Sequence, residues 1–180
     1  MIPEIIFITD SAKFDPIPTC RKLPKNSIVI LRDYDLEPIK RLELAKTLKK
    51  ICQRRKLLFL VGKTPELAIK VKANGMHLPE FMIGQLPKIR QNQPNWLVTA
   101  ASHSHKSSYK AQKLGADAVL ISPVYKTNSH PNTKPLGIHK AKKLQATHIF
   151  NYALGGCKLR HLNQLKSVNF QGIACISGLN

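Results

Sequence analysis

Acidic residues are scarce in this sequence, and this scarcity limits the kinds of partner that the chain can bind. Ten aspartates and glutamates stand against 29 lysines and arginines, so the formal net charge is +19. Such a surface attracts anions, among them nucleic acids and phosphorylated metabolites. The alternative is a lysine-rich surface that contacts only solvent. The cations favour this alternative, because they are spread along the chain without the interleaved aromatic residues of a base-stacking surface. The pattern therefore argues against nucleic acid as a partner.

Cysteine pairs and long apolar runs are missing as well. The four cysteines lie far apart without Cys-x-x-Cys spacing, which favours reduced thiols over a metal site. No apolar run approaches the ~18 residues of a membrane-spanning helix. The first residues also lack the basic and apolar regions of a signal peptide. We therefore expect a cytoplasmic protein without membrane association.

The chain is organised around residues 115–125, where a glycine is followed by an apolar run that leads into the polar loop 126–135. An apolar run bounded by turn residues is typical of a buried strand in a parallel sheet. Similar segments recur along the chain and alternate with helical patterns. The predicted strands are residues 5–9, 27–31, 56–61, 75–78, 96–101, 118–123, 148–154 and 172–177.

Eight such units favour a closed (β/α)8 barrel over an open doubly wound sheet. The chain has 180 residues, 43% of them hydrophobic, which suits a single domain spanning residues 1–180. Because about 250 residues are typical of the barrel, this one is expected to be trimmed. Three prolines between residues 11 and 26 leave room only for a short first helix, and the eighth helix is expected to be absent. Self-association into a homo-oligomer is one way to cover the exposed flanks.

Ligands of such barrels bind at the carboxyl ends of the strands, and glycine turns there predict a phosphate site. Gly155 and Gly156 follow the seventh strand, and Ser177 follows the eighth, where bare backbone N–H groups can bind phosphate. Charge-assisted hydrogen bonds can come from Arg32 and Lys63, after the second and third strands, and from Lys126 or Lys134, in the loop after the sixth. Glycines that only satisfy turn geometry are the alternative.

Other chemistry at the strand ends is less well supported. The carboxylates available there for a metal are Asp10, Asp33, Asp35 and Glu80, of which Asp35 and Glu80 can equally cap helices. His77 and His103 can act as acid or base, or serve as hydrogen-bonded structural residues. Cys157, beside the glycine pair, is either an activated thiol or a buried inert one.

Seven segments, in order along the chain, resemble the motifs of thiamine-phosphate synthases and the related TenI-like thiazole tautomerases. They are residues 6–10, 31–35, 75–78, 102–104, 115–127 with 135–137, 153–156, and 174–178. The resemblance covers almost the whole chain and implies a (β/α)8 barrel. It also implies the synthase reaction, in which a pyrimidine methyl diphosphate joins a thiazole phosphate and diphosphate leaves with Mg²⁺.

Some of the family's functional positions are matched. The resemblance implies a thiazole-phosphate site at residues that look intact: Gly155, Gly156, Ile176 and Ser177. Arg32 matches the family's diphosphate-binding arginine. In the loop after the sixth strand, Thr127 and Ser129 keep the family's hydroxyls, whereas its lysine falls on His130.

Other positions depart from the pattern. The family's two Mg²⁺-binding aspartates fall on Lys63 and Met82, so we assign no metal ligands and leave the cofactor open. Lys63 is hypothesised to supply a fixed cation where the metal would be. The histidine often found in the tautomerases falls on Pro123, which does not support that chemistry.

Three functions follow in order of preference. The first is a thiamine-biosynthesis transferase of the synthase type with an altered active site, in which Arg32, Lys63 and His103 carry the catalytic roles. The second is a divergent TenI-like barrel that binds a phosphorylated small molecule without this chemistry. The third, a basic barrel that binds nucleic acid, depends on charge alone.

Overall fold

Eight parallel strands form a closed barrel in which each strand pairs with its neighbours in sequence and β8 pairs with β1. A computed structural model describes residues 2–127 and 133–177. The strands are β1 Ile5–Ile8, β2 Ile28–Leu31, β3 Leu58–Gly62, β4 Gly75–Leu78, β5 Leu97–Ser102, β6 Ala118–Ile121, β7 Phe150–Leu154 and β8 Gly172–Cys175. The predicted (β/α)8 fold is confirmed.

Helices follow the strands and cover the outside of the barrel. They are α1 Pro16–Lys22, α2 Pro38–Arg55, α3 Pro65–Lys70, α4 Leu86–Asn92, α5 His105–Lys113, α6 Gly137–Lys142 and α7 Leu162–Lys166, with 3-10 turns at Glu80–Gln85 and Leu159–His161. The first helix is short, as predicted, and β8 is the last element up to residue 177, without an eighth helix there. Among these described helices, none has both the length and the hydropathy that crossing a membrane requires.

Buried side chains fill the interior of the barrel, which is a packed core. The inward-facing residues alternate with outward-facing ones along each strand, as the pleat requires. The inner layer consists of Ile6, Ile8, Ile28, Ile30, Leu60, Ala118, Leu120, Tyr152 and Ala174. The buried Tyr152 hydroxyl donates a hydrogen bond to the Pro3 carbonyl at 2.7 Å, so its polar atom is satisfied at the floor of the barrel.

The start of α5 is fixed by two serine side chains. Ser104 accepts a hydrogen bond from the Ser107 N–H at 3.1 Å, and the Ser107 hydroxyl accepts one from the Ser104 N–H. This capping box satisfies two N–H groups that lack partners inside the helix. The helix ends at Lys113, and Gly115 follows with φ +95°.

In the sequence, Thr64-Pro65 predicts the start of α3 and Asn74-Gly75 predicts its end. The start is confirmed, since Thr64 is at the N-cap position and Pro65 is the first helical residue, whereas the end was wrong. Thr64 makes no side-chain cap, because its hydroxyl accepts a hydrogen bond from Arg41 instead. The helix ends at Lys70, well before the predicted Asn74-Gly75 stop. The Asn74 side chain accepts the Phe59 N–H at 3.0 Å, and Gly75 already begins β4.

Candidate functional site

A cavity of about 630 Å³ opens at the carboxyl end of the barrel. Its lining comes from the ends of β1, β2, β4, β5, β6, β7 and β8 and from the residues that follow them. The volume lies within the range of small-molecule sites, roughly 300–1,000 Å³. The cavity is therefore where the fold would be expected to bind a ligand.

Most of the predicted site residues meet in this cavity. Its lining includes Arg32, His103, Thr127, Gly155, Gly156, Ile176 and Ser177. Lys63 lies outside the lining, and its ammonium nitrogen is 5.6 Å from the centroid of the Tyr34 ring. The hypothesis that Lys63 supplies a fixed cation therefore requires its side chain to leave that ring. Ser129 and His130 fall outside the described residues.

Arg32 is held in place by the end of β1. Its Nη2 lies 2.7 Å from Asp10 Oδ2, and its backbone N–H donates to the Thr9 hydroxyl at 3.0 Å. The Asp10 side chain is 8% exposed and that of Arg32 is 38% exposed, so a buried carboxylate orients a guanidinium that still faces the cavity. Asp33 accepts hydrogen bonds from the Ser11 backbone and hydroxyl at 2.5 Å, which fixes the neighbouring turn.

Arg41 is a buried cation that sequence analysis missed. It donates to the carbonyl oxygens of Gly62 and Arg32 at 2.8 and 3.2 Å and to the Thr64 hydroxyl at 2.8 Å. Its guanidinium carbon lies 5.4 Å from the Tyr34 ring centroid. Burial lowers its pKa, and the charges of Tyr34 and Asp33 oppose that shift. Arg41 therefore ties the carboxyl ends of β2 and β3 together.

A signal for Arg41 was present in the sequence. It lies on the same helical stripe as Ala45, Leu48 and Cys52, which are the buried residues of α2. The apolar spacing of Leu44, Leu48, Ile51 and Cys52 predicts a different buried face, whereas Leu44 and Ile51 are only partly buried in the structure. A cation on an otherwise apolar stripe indicates a residue with internal partners.

His103 is oriented by the loop that follows β6. Its Nδ1 lies 3.0 Å from the Ser122 carbonyl oxygen, and its backbone N–H donates to a Glu80 carboxylate oxygen at 2.7 Å. The Ser122 hydroxyl oxygen also lies 3.3 Å from this Nδ1. In the tautomer in which Nδ1 donates to the carbonyl oxygen, Nε2 keeps a lone pair. His103 can therefore accept a proton from a ligand in the cavity. Glu80, a candidate metal ligand, instead holds the His103 backbone.

His77 also lines the cavity, but it is buried and hydrogen-bonded. Its Nδ1 lies 2.8 Å from the Thr99 hydroxyl oxygen, and the residue is 7% exposed. Burial lowers its pKa to about 4, because the low-dielectric surroundings disfavour the charged ring. The ring is therefore neutral near pH 7 and packs as a polar wall of the site.

The His77 pKa predicts a loss of stability on acidification. Above pH 6.5 the His77 ring is neutral in both the folded and the unfolded chain. Between about pH 6.5 and 4 the ring takes up a proton only in the unfolded chain. The folded state therefore loses stability as the pH falls through this range. We expect this to contribute on the order of 2–3 kcal/mol at pH 4. Urea unfolding at pH 7 and 5 should show a weaker pH dependence for His77→Gln than for the wild type. An exposed control, His148→Gln, should keep the wild-type dependence; an unchanged dependence in His77→Gln would contradict the assignment.

The glycine turn after β7 packs directly against the loop after β6. Gly155 and Gly156 have φ values of +90° and +65°. A Cβ at Gly155 would lie 2.8 Å from Pro123, and one at Gly156 would fall on the Lys126 carbonyl oxygen. Tyr125 adds a second contact, because its ring stacks on His161 with centroids 4.2 Å apart. Glycine is therefore required at this turn by both conformation and space.

Cys157 is an inert thiol in this structure. It is 1% exposed, and burial together with Cys175 raises its pKa to about 12. Both residues line the cavity. Because the thiolate is the reactive form, neither is suited to nucleophilic chemistry near neutral pH.

Comparison with known proteins places these features in a family. The model of a family described as thiamine monophosphate synthase matches residues 5–179. A putative thiamine-phosphate synthase 2 of Aquifex aeolicus is 34% identical over 98% of this chain and 97% of its own length. The thiamine-phosphate synthase of Lactococcus lactis is 33% identical over 76% of this chain and 65% of its own length.

A solved structure supports the same fold. A thiamine phosphate pyrophosphorylase from Pyrococcus furiosus superposes with a TM-score of 0.78 at 21% identity, covering 97% of this chain and 85% of that one. This likeness concerns the architecture of the barrel, within which the cavity described above lies.

Proposed function

Because the chain belongs to the thiamine monophosphate synthase family, we propose that it is a transferase of the thiamine-phosphate synthase type with an altered active site. Its single domain, residues 1–180, would join a pyrimidine methyl diphosphate to a thiazole phosphate. The observation that carries the proposal is one cavity lined by the glycine turn after β7, Ser177 after β8 and Arg32 after β2.

Each wall of the cavity has a proposed role. Gly155, Gly156, Ile176 and Ser177 would hold the phosphate of the thiazole substrate, since turns after the seventh and eighth strands are the recurrent phosphate site of such barrels. Arg32 would bind the departing diphosphate through charge-assisted hydrogen bonds, in an orientation fixed by Asp10. The His103 Nε2 would exchange a proton with the bound ligands. Thr127 would contact substrate from the loop after β6.

A turnover assay tests this function. The purified protein is incubated with the pyrimidine diphosphate, thiazole phosphate and Mg²⁺, and thiamine phosphate is followed by the fluorescence of its oxidised form. We expect product at a rate proportional to protein concentration, and a fall of about 100-fold for Arg32→Ala, since electrostatic stabilisation of a leaving group is a large part of such catalysis. Lys50→Ala, which removes an exposed cation of α2, should keep the wild-type rate.

The outcome without turnover is also informative. No product, together with a rise in Tm on adding thiazole phosphate, would replace the transferase by a barrel that only binds a phosphorylated ligand. Neither product nor stabilisation by phosphorylated ligands would refute the proposed ligand class.

A further inference from the structure

The charged groups in the cavity lining are all positive in the described part of the chain. Arg32, Lys126 and Lys158 line it, whereas the lining holds no aspartate or glutamate among residues 2–127 and 133–177. Lys158 follows the glycine turn and was not anticipated from the sequence. The other titratable rings of the lining are Tyr34, whose pKa burial raises, His77, which burial keeps neutral near pH 7, and His103.

This donor set does not fit Mg²⁺, the metal that the family resemblance implies. Mg²⁺ takes oxygen ligands in octahedral geometry and is usually held by one or two carboxylates. The carboxylates near the cavity are already engaged: Asp10 pairs with Arg32 and Lys13, and Glu80 accepts the His103 N–H. In the described residues, no group of three or more histidines, cysteines, aspartates and glutamates is arranged to hold a metal ion.

The positions where the family has its aspartates are also unsuited to a metal. Met82 is 7% exposed and packs in the apolar cluster between β4, β5 and their helices. The Lys63 ammonium is itself a cation and lies over the Tyr34 ring. No step that requires a metal can therefore be derived for this site.

Two of the three cavity cations are brought together by backbone packing. Lys126 lies in the loop after β6, and its carbonyl oxygen abuts Gly156, two residues before Lys158. The Tyr125–His161 stack and the hydrogen bond from the Tyr125 N–H to the Gly155 carbonyl at 2.9 Å hold the same two segments together. Arg32 reaches the cavity from the end of β2, with its guanidinium fixed by Asp10.

We infer that this site binds the phosphate or diphosphate of its ligand without a divalent cation, through the positive charges of Arg32, Lys126 and Lys158. Asp10 holds the guanidinium of Arg32, whereas Lys126 and Lys158 are exposed lysines whose backbones are placed beside the cavity by the two packed loops. Charge-assisted hydrogen bonds from several cations to one multiply charged anion are stronger than neutral ones. Lys158 is the residue newly assigned to ligand binding. The inference rests on the proposed function, because it concerns the anionic part of that ligand.

Titration calorimetry with inorganic diphosphate tests the inference on the intact chain. We expect the same affinity in EDTA as in millimolar Mg²⁺, and a loss of about tenfold in Lys158→Ala, as removal of one charge-assisted hydrogen bond predicts. Lys158→Arg keeps the charge and should recover most of the affinity. Lys50→Ala, the matched control, removes one cation from the exposed face of α2 and should bind like the wild type.

Each contrary outcome has a distinct meaning. Binding that appears only with Mg²⁺ overturns the inference and leaves the proposed function standing. Equal losses in Lys158→Ala and Lys50→Ala also overturn it, because the affinity would then follow net charge alone. If neither diphosphate nor thiazole phosphate binds in either buffer, the proposed function fails together with this inference. If diphosphate does not bind but thiazole phosphate raises the Tm, the inference fails for diphosphate and the proposed ligand class stands.

Discussion

Gly156→Ala is expected to abolish phosphate binding and to lower the free energy of unfolding by about 3 kcal/mol. The added methyl group would fall on the Lys126 carbonyl oxygen, and the alanine would have to adopt φ +65°. The two loops must then move apart, which separates Lys126 from the glycine turn. Thermal unfolding and titration with inorganic phosphate measure the two effects. For a domain of this size the loss corresponds to a fall in Tm of about 6–12 °C.

Two other glycines separate the causes. Gly137 has φ +71° but nothing within 4 Å of its Cβ position, so Gly137→Ala should show only the conformational cost, about 1–2 kcal/mol. Gly84 has free space and needs no positive φ, so Gly84→Ala should be close to neutral. If Gly156→Ala costs no more than Gly137→Ala and still binds phosphate, the close packing of the two loops is not required.

Arg41→Ala is expected to destabilise the protein by about 3 kcal/mol and to weaken ligand binding as well. The change removes the donor to the Arg32 carbonyl, the Gly62 carbonyl and the Thr64 hydroxyl, all at the carboxyl ends of β2 and β3. One of these acceptors is the carbonyl group of Arg32 itself. Loss of that hydrogen bond frees the Arg32 backbone and so weakens the support of its guanidinium group. Arg41 acts as a positioning residue, since it lies outside the cavity lining.

The experiment needs a readout that a purely structural role would not change. Urea unfolding gives the stability, and diphosphate titration at a temperature where the variant remains folded gives the affinity. Arg41→Lys keeps a cation but not the fork of donors, and we expect it to recover little of either. Lys46→Ala, on the exposed side of the same helix, should be neutral in both. Wild-type affinity in a folded Arg41→Ala would show that Arg32 is oriented by Asp10 alone.

The barrel could be predicted from the sequence because its signals are local and repeated. Strand β6, for example, is an apolar run between Gly115 and a polar loop, and α5 begins at a capping box. The glycine pair after β7 was likewise predictable as a site, since position in a parallel barrel determines where ligands bind. Strand β4 was located within residues 75–78, as the structure has it.

What the sequence could not show was the direction of individual long side chains. Lys63 follows β3 and was a reasonable cation for the cavity, but its backbone takes φ +68° and its side chain lies over Tyr34. Arg41 is 9 residues from Arg32 in sequence and meets it because α2 packs against β3 on the outside of the barrel. Lys158 lines the cavity because a turn of two positive φ values precedes it, and charge patterns do not encode such a turn.

The closure of the barrel has a consequence for how the chain folds. Seven of the eight strand pairs join consecutive strands, whereas β1 and β8 come from opposite ends of the chain. The contacts beside them span equally far: Lys166 pairs with Glu4, and the Tyr152 hydroxyl bonds Pro3, 149 residues away. Pairs this distant gain little until the intervening units are in place, because loop closure costs entropy first. Pairing of β1 with β8 is therefore the step that closes the sheet and makes the βα units fold cooperatively. Because residues of both β1 and β8 line the cavity, the cavity is complete only after these two strands have paired.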